Sequence, residues 1–302
     1  MSIFILKAIA IFAMLIDHIK ATFGSTGWDI LPFDTTLLSI IGRVSFPVFA
    51  FFIVNGWKYT RNREKYFLRL AIGAIVSHIP YTLAFSFQNR NVISEGETLF
   101  RFKLIIPIII VGLICTITYW YFVQNKKINA SLIIVSIFFF ITSVSWKAGY
   151  IWIMATDELN VFYTLAIGCA ILYVIERIKK HNLRLWEYIW LILATALAVW
   201  AFGMRGDYGT CCLGFILIVA LYFTQNNKKI QSLLILVWGI VFYFGIIGNL
   251  TNAIATVIPA ILILFYQPKK GVNGKSIKYI FYTFYPLHLL ILGLVNVILK
   301  IG

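Results

Sequence analysis

Ile3-Phe4-Ile5-Leu6-Lys7-Ala8-Ile9-Ala10-Ile11-Phe12-Ala13-Met14-Leu15-Ile16-Asp17-His18-Ile19-Lys20-Ala21-Thr22-Phe23 is an almost unbroken apolar run near the start of the chain. As a helix rising 1.5 Å per residue it is long enough to cross a hydrocarbon core of ~30 Å. Yet it carries Lys7, Asp17 and His18. A charge at the bilayer centre costs at least ~2.5–3.5 kcal/mol on insertion scales, so such residues face a protein interior and mark a functional site. The same signature recurs in Thr36 to Trp57, which contains Arg43, and in the last apolar segment, which contains His288.

The rest of the chain repeats the pattern. It is 61% hydrophobic, 17% aromatic and only 12% charged, where soluble domains run at roughly 45–50% apolar and 25% charged. Eleven apolar spans are expected, at about 3–23, 36–57, 66–87, 103–123, 130–151, 159–176, 186–203, 207–224, 232–248, 250–267 and 279–299. The boundary around Asn249 is the least distinct of these. The expected fold is therefore all-α, a polytopic transmembrane helix bundle forming one integral-membrane domain over residues 1–302. The first segment is too long for a signal peptide, carries Asp17 and His18, lacks a small-residue cleavage site, and is expected to be retained.

Orientation follows from Lys and Arg in the short connections. One side collects seventeen: Lys58, Arg61, Arg63, Lys65 and Arg69, then Lys126 and Lys127, Arg177, Lys179, Lys180 and Arg184, Lys228 and Lys229, and Lys269, Lys270, Lys275 and Lys278. The other side holds seven, namely Lys20, Arg90, Arg101, Lys103, Lys147, Arg205 and Lys300. The N-terminus is expected inside and the C-terminus outside. The net charge of +15 is a topology signal, with anionic membrane lipids as its natural partners. It is scattered over short loops, which argues against nucleic acid. Cys115, Cys169, Cys211 and Cys212 fall in apolar spans without metal-ligand spacing, so they read as small hydrophobes and no metal is expected. Internal repeats, a Walker motif and a Gly-rich nucleotide loop are all missing from the sequence.

Helical rise places His18 roughly 22 Å from the inner end of the first span and Arg43 roughly 10 Å below the outer end of the second. The two sit at similar depth. Lys7, eleven residues before His18, lies about 20° off the same helical face. Adjacent helical residues diverge by about 100° and do not face each other, so Asp17 is expected to partner Arg43 rather than His18, which lowers the burial cost of both ions. If His18 has an orienting carboxylate, it is expected from another helix, with Asp207, Asp157 and Glu158 as candidates. A structural clamp between helices is the bland alternative for Asp17, His18 and Arg43. His78, before Pro80, and His288 each fit either helix packing or substrate contact. The basic run Lys58-Tyr59-Thr60-Arg61-Asn62-Arg63-Glu64-Lys65 reads either as positive-inside anchoring or as a phosphate site.

Leu6-Lys7-Ala8-Ile9-Ala10, Met14-Leu15-Ile16-Asp17-His18, Ile41-Gly42-Arg43-Val44-Ser45-Phe46-Pro47, Thr60-Arg61-Asn62-Arg63 and Ser77-His78-Ile79-Pro80 occur in that order. They are followed by Asn160-Val161-Phe162-Tyr163, Asp207-Tyr208-Gly209 and Phe284-Tyr285-Pro286-Leu287-His288-Leu289. Together the segments resemble the TraX family, named for a pilin-acetylating protein of conjugative plasmids. The resemblance covers nearly the whole chain. It implies a multi-pass acyltransferase of the bacterial plasma (inner) membrane, within a wider group that uses cytoplasmic acetyl-CoA to modify acceptors across the membrane. In part of that group an Arg and a His stand eleven residues apart in the first helix; here they are Lys7 and His18. A Ser-Gln pair of many relatives is Ser77-His78 here.

Residue chemistry and resemblance together name His18, Asp17 and Arg43 as catalytic. They name His78, Asn160, Asp207, Tyr285 and His288 as acceptor contacts. Lys7, Lys58, Arg61, Arg63, Lys65 and Arg69 are the donor contacts. The implied reaction moves an acetyl group to a hydroxyl or amine of a peptide N-terminus, glycan or lipid at the external side. A transporter or flippase for a small anionic or lipid-linked solute is the alternative, since charged midplane residues suit it equally. A non-catalytic scaffold of an envelope complex is the third reading. Topology is testable directly. A phosphatase reporter that folds only outside the cytoplasm is expected to be active when fused after Gly302 and inactive after Lys127 or Lys180; the reverse pattern would invert the assignment.

Overall fold

The structure is a computed structural model that describes residues 1–23, 35–85, 102–123, 130–142, 146–148, 151–154, 159–180, 182–203, 212–267 and 275–301. Candidates Asp157, Glu158 and Asp207 lie outside the described residues. Helices account for nearly all of it: α1 Ile3–Phe23, α2 Thr36–Gly42, α3 Ser45–Tyr59, α4 Arg63–Phe85, α5 Phe102–Phe122, α6 Ala130–Ile141, α7 Val161–Lys180 and α8 Leu185–Ala198. The chain continues through α9 Leu213–Phe223, α10 Lys228–Gly239, α11 Leu250–Ala255, α12 Val257–Leu264 and α13 Lys275–Ile301. π-Helical turns extend α8 over Val199–Gly203 and α10 over Ile240–Ile246. Residue contacts divide the chain into two compact units, Met1–Gly56 with Ile216–Gly302, and Trp57–Phe215.

Within the first unit, α1 packs on α2 and α13, α2 on α11, and α10 on α11 and α12. α1 buries Leu6, Ala10, Ala13, Met14 and His18, the i, i+4, i+7, i+8 stripe of a helix with one protein-facing side. Two helix breaks share one cause. Proline has no N–H and its ring clashes with the carbonyl four residues earlier. Pro47 acts on Arg43, where α2 ends, and Pro259 acts on Ala255, where α11 ends. The expected spans 36–57 and 250–267 therefore each persist as one apolar stretch broken into two helical segments. Gly248, with φ +74°, separates the ninth and tenth stretches, and Asn249 then caps α11 by accepting from the Asn252 N–H at 2.9 Å. A left-handed residue followed by an Asn cap is a turn that glycine makes without Cβ strain.

In the second unit α4 packs on α6 and α7, α5 on α6 and α8, and α7 on α8. The expected span 130–151 is corrected here. α6 stops at Ile141, where the Thr142 hydroxyl donates to the Phe139 carbonyl at 2.6 Å, a local bond that competes with continuation of the helix. Two short antiparallel strands follow, β1 Trp146–Ala148 and β2 Ile151–Met154, with Lys147 opposite Trp152. Cys115 and Cys169 line an apolar cavity of about 130 Å³ among α4 to α8.

Large apolar side chains cover the outside of the molecule: Leu37 is 69% exposed, Trp200 63% and Phe12 62%. Exposed apolar surface on this scale belongs against lipid. Among the described residues, six helical stretches are long and apolar enough to cross a membrane, namely Thr36–Tyr59, Arg63–Phe85, Val161–Lys180, Leu185–Phe202, Lys228–Ile246 and Tyr282–Leu299. α1 matches them in length but carries Lys7, Asp17 and Lys20. The chain is a membrane protein.

Close packing sets one stability test. A Cβ at Gly239 would overlap the side chain of Thr256. Gly239→Ala is expected to cost about 1–3 kcal/mol as overpacking. In thermal melts of the detergent-solubilised protein, Gly239→Ala with Thr256→Gly should lose less than the sum of the single variants.

Candidate active site

Arg43 sits at the break that Pro47 imposes, and the break decides its chemistry. Its backbone N–H still reaches the Ser39 carbonyl at 3.2 Å, while the Val44 N–H turns back to Ile41 at 3.1 Å. The Ser45 hydroxyl takes up the Gly42 carbonyl at 2.9 Å. From this position the guanidinium pairs with the Asp17 carboxylate. It also donates through Nε to the Ser39 carbonyl at 3.3 Å and through Nη1 to the Tyr243 hydroxyl at 3.3 Å. Its carbon centre stands 5.3 Å from the centre of the Tyr243 ring. Gly42 makes the approach possible, because a Cβ there would overlap the Asp17 carboxylate. Lys20 bonds the Ser39 hydroxyl nearby.

One residue along α1 from Asp17, the buried His18 ring meets His288 of α13. His18 Nδ1 lies 2.7 Å from His288 Nε2, and His288 Nδ1 lies 2.7 Å from the Phe284 carbonyl oxygen. The ring centres are 5.0 Å apart with planes 10° from parallel. At that nitrogen separation only the two ring radii remain between the centres, so the rings lie edge to edge in a hydrogen-bonding line. Tyr285 crosses both rings edge-on, 5.8 Å from His18 and 5.6 Å from His288. Among the described residues the partner of His18 is a second imidazole; the carboxylate candidates Asp157, Glu158 and Asp207 lie outside them. Lys7 places its ammonium 5.6 Å from the Phe52 ring centre.

The remaining candidates belong to the second unit. Lys58, Arg61 and Lys65 are exposed. Arg63 is already paired with Glu176 at 2.9 Å and lies 5.5 Å from the Trp57 ring centre. Arg69 rests 5.6 Å from the Tyr66 ring centre. His78 is fully buried, edge-on to Tyr163 at 5.7 Å. Asn160 spends its amide within the fold: Nδ2 donates to the Ala74 carbonyl and Oδ1 accepts from the Phe162 N–H, each at 3.0 Å. It caps α7 and ties that helix to α4.

Sequence reading missed two partners. Tyr243 lies in an apolar run, Ile240 to Ile246, with no polar pattern to single it out; the π-helical turn presents it to Arg43, and such turns recur at functional sites. Glu176 was legible as a lone acid in an apolar span. It accepts from the Trp57 indole N–H at 3.1 Å besides pairing with Arg63.

The TraX protein family model matches residues 2–155 and 113–296. The chain belongs to the TraX family. It is also similar to a protein of Dichelobacter nodosus named "Probable fimbrial assembly protein FimC, serogroup H1", 24% identical over 299 residues that span 96% of this chain and 94% of that protein. No solved structure matches it. The match carries both units of this TraX family member, the Asp17–Arg43 pair and the His18–His288 pair with it.

Removing one member of this part-buried ion pair leaves the other uncompensated, at a cost below the ~3–5 kcal/mol of a fully buried pair. Asp17→Ala is therefore expected to lower the thermal midpoint, and Asp17→Ala with Arg43→Ala less than additively. Additive losses would show that the two residues do not interact.

Proposed function

We propose that this chain is a plasma-membrane acetyltransferase of a bacterial cell, taking acetyl groups from cytoplasmic acetyl-CoA to an amine or hydroxyl acceptor at the external side. The observation that carries the reading is the buried His18 imidazole held by His288, one residue along α1 from Asp17, which binds Arg43. A base on α1 and a cation from α2 anchored to the preceding residue of α1 are parts that acyl transfer requires. The TraX family's link to pilin acetylation supports the donor. The relative's name as a fimbrial assembly protein favours a peptide N-terminus of an envelope subunit over a glycan or lipid.

His18 takes the proton of the acceptor amine or hydroxyl as the acceptor attacks the thioester carbonyl. Arg43 stabilises the oxyanion of the tetrahedral intermediate, with Asp17 and Tyr243 holding the guanidinium in place. His18 returns the proton to the departing CoA thiolate as the carbon–sulfur bond breaks. Lys58, Arg61 and Lys65 bind the donor's phosphates; Arg63, neutralised by Glu176, serves the fold. Lys7, above Phe52, guides the donor arm.

Purified protein in liposomes should release CoA when acetyl-CoA is supplied to the cytoplasmic face with an acceptor peptide. His18→Ala should abolish turnover, and Arg43→Lys should lower kcat by ~10²–10³-fold, the usual effect of losing one electrostatic stabiliser. Turnover intact in His18→Ala, or solute flux without CoA, would move the reading to a transporter.

A further inference from the structure

The bond pattern around the two histidines fixes where the protons are. A backbone carbonyl can only accept, so His288 Nδ1, 2.7 Å from the Phe284 oxygen, must carry a hydrogen. Both rings are buried among apolar helices, where an added charge is costly. The neutral His288 ring then offers a bare Nε2, which can only accept. His18 Nδ1, 2.7 Å away, must donate to it. The lone pair of His18 is left on Nε2, the nitrogen on the far side of the ring.

We propose that His288 is a positioning residue that holds His18 in the Nδ1–H tautomer and turns its basic Nε2 toward the acceptor. The direction of the relay is set at its far end by the Phe284 carbonyl. When Nε2 takes a proton, the Nδ1–H of His18 still donates to His288, so the imidazolium forms without rearranging its partner. A carboxylate holds the base in this way in serine-protease triads, and the wrong tautomer there costs ~10⁴-fold in kcat. Here a neutral imidazole anchored to a helix carbonyl does the work. It adds no further charge to a membrane-embedded site. The catalytic consequence rests on His18 being the base of acetyl transfer, whereas the tautomer does not.

Two substitutions of similar polarity separate positioning from packing. Gln at 288 extends its amide to where Nε2 lies and can accept from His18 Nδ1; Asn reaches the Phe284 carbonyl but stops short of His18. Histidine-selective ¹⁵N labelling of the full-length protein in lipid gives signals from His18, His78, His181 and His288, assigned by substituting each in turn. The wild type and His288→Gln should show His18 protonated at Nδ1. His288→Asn should show a mixture with the Nε2–H form. In the acetyl-transfer assay, His288→Asn should lower kcat by ~10²-fold or more with little change in KM, and His288→Gln should restore most of it. An Nε2–H tautomer in the wild type, an unchanged tautomer in His288→Asn, or equal activity in the two variants would overturn the proposal. A wild type with the expected tautomer and no acetyl transfer would remove the base assignment while upholding the relay.

Discussion

A carboxylate and a guanidinium cannot lie singly among lipid-facing helices, and the first unit is organised around that constraint. Each of Asp17 and Arg43 would be costly to bury alone. Their pairing requires α1 and α2 to approach closely, which Gly42 permits by having no side chain to meet the Asp17 carboxylate. It also requires Arg43 to leave regular helical geometry, and Pro47 supplies that break four residues later. The Ser39 carbonyl and the Tyr243 hydroxyl then each accept one further guanidinium hydrogen. A guanidinium held at three points loses little freedom on meeting an anion, the condition under which a fixed cation stabilises developing charge.

The same helix solves a second polar problem in a different way. His18 is buried one residue from the ion pair, on a face about 100° away. Among the described residues it meets the imidazole of His288. Tyr285, crossing both rings, packs their edges and limits rotation. α13 is thus bound to α1 by hydrogen-bonded imidazoles, while α2 is bound to it by charge.

In the second unit, polar groups mostly serve helix packing. Asn160 caps α7 and clasps α4; Glu176 accepts from Trp57 and pairs with Arg63. These bonds leave Lys58, Arg61 and Lys65 exposed on the same stretch of chain. A basic run that looks uniform in sequence is therefore divided by structure into an inward-paired Arg63 and outward cations.

The helical, membrane-embedded character was legible in the sequence alone, as was the placing of Asp17, His18 and Arg43 within apolar segments. Apolar run length and the cost of a buried charge are local quantities, readable without knowing any neighbour. The Asp17–Arg43 pairing was legible too, because helical angles rule out the adjacent histidine. The end of α6 at Ile141, the two proline breaks and the role of Tyr243 were not read. Each depends on a competing local bond, a clash with a distant carbonyl, or a turn that aims one aromatic among many. The partner of His18 was decided only by tertiary structure. In the sequence, 270 residues separate His18 from His288, and no periodicity spans such a gap. What brings them together is the packing of α13 on α1, set by the apolar faces of both helices.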